Sequence, residues 1–332
     1  MPKMIDVKDL VLVYSNGTKA VDNISFDVEE GDFFGFLGPN GAGKSTTIKV
    51  LTTLLKKTSG TVNVAGFDLD KDAKEIRKVI GVQSQETAID GDLTGKENLI
   101  LQGHFQQLSG KVLEDRVSEL LKLINLEKFA DKKVRNYSGG MKKRLDLATT
   151  LVHKPKLIFL DEPTTGLDPQ SRSAIWDYLE KLNKKEKTTI FLTTQYMEEA
   201  DRLCKKLAII DTGKIVATGT PTDLKKELGV DSIKITLKNC EKDKKHAIEL
   251  LKSLTGVSEI TESGDCVTAF ASNAHQLIAD IVRALDSLEI SLSGISYSSP
   301  TLDDVYLQKT GKRIRPEELV KAPSRSFGGR GR

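Results

Sequence analysis

Phe33-Phe34-Gly35-Phe36-Leu37-Gly38-Pro39-Asn40-Gly41-Ala42-Gly43-Lys44-Ser45-Thr46 is an apolar run that breaks into a glycine-rich loop and then into a segment able to form a helix. Residues 38–46 fit the spacing G-x-x-x-x-G-K-[ST], and strand, loop and helix come in the order that lets this spacing bind phosphate. Gly41 and Gly43 permit close backbone approach to an anion. Successive N–H groups and a helix N-terminus then supply the positive end of their dipoles. Lys44 is placed to hold the β- and γ-phosphates of a nucleoside triphosphate, and Ser45 to ligate Mg²⁺.

The second half of such a site is Leu157-Ile158-Phe159-Leu160-Asp161-Glu162, a wholly apolar run of strand length that ends in two carboxylates. In a phosphate-cleaving site Asp161 would belong to the Mg²⁺ shell, and Glu162 would orient or deprotonate the attacking water. An acidic pair at a strand end can also simply cap a turn. The Pro163-Thr164-Thr165-Gly166-Leu167-Asp168 that follows favours the catalytic reading.

Between these halves lies Tyr137-Ser138-Gly139-Gly140-Met141, and beyond them Thr189-Ile190-Phe191-Leu192-Thr193-Thr194-Gln195. With the phosphate loop and Asp161-Glu162 in this order, residues 3–225 resemble the ATP-binding subunits of ABC transporters. The resemblance implies a P-loop α/β fold of ABC type, with a mixed sheet core, an antiparallel β subdomain and a helical subdomain. It implies ATP and Mg²⁺ as ligands of Gly38, Pro39, Asn40, Gly41, Ala42, Gly43, Lys44, Ser45 and Thr46. Tyr14 matches the aromatic residue that stacks on adenine. Gln85 matches the glutamine that touches Mg²⁺ and water and reports to the membrane subunit; Gln83 is the rival, two residues earlier.

In that family Ser138, Gly139 and Gly140 bind the γ-phosphate held by a second copy of the chain, and Asp168 bridges the two copies. Tyr137 and Met141 depart from the usual Leu and Gln at the ends of this segment. Gln195 stands where relatives carry histidine. It keeps a neutral amide donor for the γ-phosphate but cannot titrate near neutral pH, which leaves Glu162 as the main catalytic carboxylate. The Thr-Thr-Gln-Tyr pattern resembles the daunorubicin and multidrug resistance branch of exporters. The partners so implied are a second copy and an integral membrane permease of the ABC-2 type, with no nucleic acid. The competing class is an ABC ATPase serving a nucleic-acid or ribosome machine. Its members usually carry two cassettes in one chain or a long coiled coil dividing the cassette, and neither feature is present here. A module that binds ATP without turnover is disfavoured by the presence of Lys44, Asp161 and Glu162 together.

At 332 residues the chain has room for one large α/β unit and one smaller unit. The uncharged stretch Ile290 to Leu302 is serine-rich and shorter than the ~18–20 apolar residues that span a bilayer. An acid at Asp6 precedes any apolar signal region, and the three cysteines, Cys204, Cys240 and Cys266, lie far apart. These features lead us to expect a cytoplasmic protein held on the inner face of the membrane by its permease. The formal charge of +3 originates in residues 311–332, which hold seven Lys or Arg against two Glu. That segment reads as a disordered basic tail.

We expect residues 1–228 to form the nucleotide-binding domain, with a helical arm over about 86–137 and a hairpin at Asn16-Gly17. Leu113, Val117, Leu120, Leu121 and Ile124 recur at helical spacing in the arm, and Ile175, Tyr178, Leu179 and Leu182 form a second stripe. From Gly229 the pattern changes. Residues 229–310 read as β-α-β-β-α-β, a small ferredoxin-like unit of dimerisation or regulatory role, followed by a capped helix from Thr301.

Overall fold

The computed structural model describes residues 2–311 apart from 86, 228–230, 239, 264–265, 272–273 and 289. The change expected at Gly229, the turn at Gly264 and the basic tail beyond Gly311 therefore lie outside the described residues.

Strands β1 (Lys3–Val13) and β2 (Lys19–Glu29) form a hairpin, closed by a turn in which Gly17 has φ +85° and the Asn16 side chain accepts from the Thr18 N–H. Strand β3 (Phe33–Leu37) feeds the phosphate loop and helix α1 (Lys44–Leu51). Strands β4 (Ser59–Val64) and β5 (Phe67–Asp68), helix α2 (Ala73–Val79) and strand β6 (Ile80–Gln83) follow. The helical arm holds α3 (Gly95–Phe105), α4 (Gly110–Leu123) and α5 (Gly139–Thr149). The chain returns through β7 (Leu157–Asp161), α6 (Pro169–Glu186), β8 (Thr189–Thr194), α7 (Met197–Leu203), β9 (Lys206–Asp211), β10 (Lys214–Gly219) and α8 (Pro221–Glu227). Strand β11 (Asp231–Leu237), helix α9 (Cys240–Ser253), strands β12 (Val257–Ser263) and β13 (Cys266–Ala271), helix α10 (Ala274–Ser287) and strand β14 (Leu292–Ser298) make the smaller unit. Helix α11 (Leu302–Thr310) closes the described chain.

The central sheet has the order β10-β9-β3-β8-β7-β6, parallel except for β10, and a second sheet has the antiparallel order β2-β1-β4-β5. Every residue of β3, β7 and β8 is buried, and the period of two sends alternate side chains to opposite faces. Phe34, Phe36, Leu157, Phe159, Phe191, Ala208 and Ile210 join the core shared with the antiparallel sheet and α1. Leu37, Ile158, Leu160, Ile190, Leu192, Leu207 and Ile209 join the core shared with the helices of the arm and with α6 and α7. On the first face Phe191 meets Phe26, Phe34, Phe36 and Phe159 with ring centroids 5.6–5.9 Å apart. The two apolar stripes read from the sequence are buried as well.

The β-α-β-β-α-β segment forms a third sheet of order β12-β13-β11-β14, antiparallel throughout, with its own core under α9 and α10. That is the ferredoxin-like arrangement. Helix α11 begins with a capping box between Thr301 and Asp304. Its Leu302, Val305 and Tyr306 belong to the core of the nucleotide-binding unit, against α7, α8 and β10. The Tyr306 hydroxyl donates to Asp211 at 3.1 Å, and burial beside that carboxylate pushes the phenol up to about 12. The expectation of one unit over 229–310 is corrected at this end, because an apolar helix stripe does not tell from sequence which core it will enter.

Phe191 fills the centre of the aromatic layer and is fully buried. Phe191→Ala is expected to lower unfolding stability of the nucleotide-binding unit by about 3–5 kcal/mol. Chemical denaturation followed by circular dichroism measures it; a loss below about 1 kcal/mol would show that the layer does not depend on that ring.

Candidate active site

The phosphate loop takes its shape from glycine. Gly41 and Gly43 have φ of +80° and +105°, and a Cβ on Gly43 would collide with the Ala20 carbonyl oxygen. With Ala20, Asn40, Gly41, Gly43, Lys44, Ser45 and Thr46 on one side and Gln85 and Glu162 on the other, the loop lines a cavity of about 300 Å³.

Lys44 is buried. Its Nζ donates to the carbonyls of Gly38 and Pro39 at 2.8 and 2.9 Å and lies 3.0 Å from Glu162 Oε1. The ammonium thus points across the loop toward the end of β7. Glu162 is aimed back by its backbone, which leaves the strand with φ +50°, a left-handed conformation uncommon for a non-glycine residue. Its N–H donates to the carbonyl and hydroxyl oxygens of Thr193 at 3.1 and 3.2 Å, and the Thr165 hydroxyl donates to Oε2 at 3.2 Å.

Asp161 lies on the neighbouring strand position, also buried. Its Oδ1 accepts from the hydroxyls of Ser45 at 3.0 Å and Thr193 at 2.6 Å. Ser45, Asp161 and the cavity-lining Gln85 therefore offer only oxygen donors apart from one amide nitrogen, the hard set that Mg²⁺ takes alongside phosphate oxygens and water. Among the described residues no cluster of three or more His, Cys, Asp or Glu could hold a metal by itself. The residues fit an ion that arrives with its nucleotide.

The two glutamines that sequence left as rivals separate by burial. Gln83 is buried and donates its amide to Asp146 at 3.0 Å, whereas Gln85 is exposed and lines the cavity. Tyr14 sits beside the loop with its hydroxyl 3.0 Å from that of Thr46. Gln195 follows β8, whose Thr194 pairs with Leu37 and accepts the Gly38 N–H at 3.1 Å; it is half-buried at the strand end next to the loop.

Ser138, Gly139, Gly140 and Asp168 do not line this cavity. Ser138 caps α5, accepting from the Met141 N–H at 3.2 Å, so the first turn of that helix begins at Gly139. Asp168 caps α6 and accepts from the Ser171 N–H at 2.9 Å and its hydroxyl at 2.6 Å, which holds the carboxyl below the usual range. Gly140 packs on Ser171, where a Cβ would come within 2.7 Å of Oγ. Both caps therefore share one patch. Tyr137, which replaces the usual leucine, is buried with its hydroxyl donating to the Phe129 carbonyl at 2.6 Å.

Sequence reasoning missed three residues. Thr193 looks like one more member of a buried strand, yet it binds both Asp161 and Glu162. Glu199 is fully buried and accepts from the Thr164 hydroxyl and the Trp176 indole N–H, both at 2.9 Å; burial pushes its carboxyl up. Its place on the apolar side of α7, one residue before the buried Ala200, was the available signal. Lys143 is the third, and bonds to the Gln85 carbonyl at 3.1 Å.

Comparison with known proteins agrees with this geometry. The sequence profile of the ABC transporter family matches residues 21–165. The chain is 40% identical to the daunorubicin resistance ATP-binding protein DrrA3 of Streptomyces coeruleorubidus, over 91% of its own length and 94% of the relative's. It is 38% identical to the daunorubicin/doxorubicin resistance ATP-binding protein DrrA of Streptomyces peucetius, over 93% of each. Among solved structures, the ATP-binding cassette MJ0796, determined as a dimer in a post-hydrolysis state with ADP and Pi, superposes with a TM-score of 0.60 at 28% identity, covering 65% of this chain and 98% of that one. A phosphate loop facing a strand-end carboxylate pair, with matches of this extent to full-length relatives, makes the chain a member of the ABC transporter ATP-binding family and an ATPase of that type.

Proposed function

We propose that this chain powers an ABC exporter by nucleotide-driven pairing with a second copy of itself. The observation that carries this reading is the separation of two anion-binding helix starts. One lies under Gly41 and Gly43 in the cavity with Glu162, and the other, capped by Ser138, is not part of that cavity and lies on the patch shared with Asp168. Each N-terminus favours negative charge, and one chain cannot bring both to a single γ-phosphate without a partner.

In the closed pair, Lys44 would exchange its contact with Glu162 for the β- and γ-phosphates. Ser45 and Asp161, already joined by a hydrogen bond, would hold Mg²⁺ together with Gln85. That ion supplies neutralisation of the charge on the phosphate oxygens. Glu162, released from Lys44, would face the attacking water and take its proton; Gln195 would donate an amide hydrogen bond to the γ-phosphate. Tyr14 would stack on the base.

Among the described residues no helix is long and apolar enough to cross a membrane, so an integral ABC-2 type permease is the proposed second partner, holding this subunit on the cytoplasmic face. The resistance relatives support export as the direction and a drug-like cargo, which the permease would select. For the ferredoxin-like unit, which builds its own apolar core and among whose described residues no metal-holding cluster lies, we propose dimerisation or regulation.

Glu162→Gln is expected to bind ATP normally, lose turnover and elute as a dimer from gel filtration in Mg-ATP, while Lys44→Ala weakens binding itself; normal hydrolysis by Glu162→Gln would refute the catalytic assignment. Steady-state assays of Gln195→Ala and Gln195→His test the γ-phosphate contact. The alanine variant should lose about 100-fold in kcat and the histidine variant should stay close to the unsubstituted chain; equal rates in all three would remove Gln195 from the mechanism.

A further inference from the structure

The segment between β6 and α3 carries Gln85 to the cavity, yet among the described residues from Ser84 to Ala88 no backbone–backbone hydrogen bond fastens it. Two side chains of α5 hold it instead. Lys143 Nζ donates to the Gln85 carbonyl at 3.1 Å, and Asp146 Oδ1 accepts the Ala88 N–H at 3.1 Å. Asp146 Oδ2 accepts from Gln83 Nε2 at 3.0 Å, just before the segment leaves β6. Lys143 and Asp146 are three residues apart and so lie on one face of α5, and both are more than nine-tenths buried. Burying two ionisable groups is unfavourable unless each is bonded, and helix packing alone would be served by apolar residues. Burial pulls the ammonium down and pushes the carboxyl up, each opposed by the charge of the other.

We propose that Lys143 and Asp146 are positioning residues that fasten Gln85 to α5, the helix opened by Ser138. This rests on the reading of Gln85 as the group that meets Mg²⁺ and water. The consequence concerns both sites of the pair. Ser138 would close on the nucleotide of the partner while the same rigid helix, one turn on, holds the Gln85 of its own nucleotide. Closure at one site then sets the water-facing glutamine at the other, giving a residue-level route for coupling between them.

A double-mutant cycle on the full chain, read as ATPase rate against Mg-ATP concentration, tests the idea. Lys143→Met should lower kcat about tenfold while moving the KM for ATP less than about twofold, because the phosphate loop is untouched. In a Gln85→Ala background the same substitution should change kcat less than about twofold. Substitutions at Asp146 keep the test alive if Lys143→Met folds poorly. Asp146→Ala should behave like Lys143→Met, and Asp146→Asn should recover most of the loss. Gln83 Oε1 is buried without a partner, so its amide can turn to accept from the new Nδ2 while Oδ1 still accepts from Ala88. If the Lys143 and Gln85 effects multiply, or Asp146→Asn is as impaired as Asp146→Ala, the fastening role is wrong and Gln85 keeps its own. If Gln85→Ala alone hydrolyses ATP normally, the reading of Gln85 fails and this inference falls with it.

Discussion

A buried ammonium facing a buried carboxylate organises this molecule. Lys44 and Glu162 come from segments more than a hundred residues apart and lie 3.0 Å from each other with almost no exposure to water. Removing one member of such a pair leaves the other charge uncompensated, at about 3–5 kcal/mol in typical cases. The surroundings must therefore hold both. The Gly38 and Pro39 carbonyls serve Lys44, and Thr193 and Thr165 serve Glu162. In the proposed mechanism the same arrangement makes the pair exchangeable: a triphosphate would offer Lys44 more negative charge than one carboxylate does, and its arrival would free Glu162 for water.

The sheet register explains why these groups meet. In the parallel ladder Asp161 pairs with Thr193 and Leu37 with Thr194, so β3, β7 and β8 end at one level. Their alternating side chains bury one face in the aromatic layer around Phe191 and the other beneath the helices. A one-residue slip in any of them would exchange the two faces. Core packing thus fixes the height at which the two carboxylates and the phosphate loop emerge, and ligand sites in such sheets fall at the strand C-ends.

Much of this was legible in the chain because phosphate binding imposes local spacing. Gly41, Gly43, Lys44 and Ser45 lie within five residues, and Asp161-Glu162 terminates a run whose apolar character marks a buried strand. The Asn16-Gly17 turn, the Leu113-to-Ile124 stripe and the β-α-β-β-α-β order were local in the same sense. What escaped was long-range or conformational. Nothing in Glu162 announces a left-handed backbone, and the hydroxyl of Thr193 is hidden in a strand of buried residues. Lys143 and Asp146 carry no local signal, because their partners at Gln85, Ala88 and Gln83 are about 60 positions away. Helix α11 follows the small unit in sequence, but its apolar stripe enters the larger core.

The account turns on whether a nucleotide brings the Ser138 patch of one chain onto the phosphate loop of another. Cysteines at Asn40 and Ser138, placed in Glu162→Gln with Cys204, Cys240 and Cys266 replaced, report this contact directly as a disulfide on a non-reducing gel. The account predicts a chain-to-chain cross-link in Mg-ATP that is weak without nucleotide. No cross-link in saturating Mg-ATP, or one formed equally well without nucleotide, would contradict it.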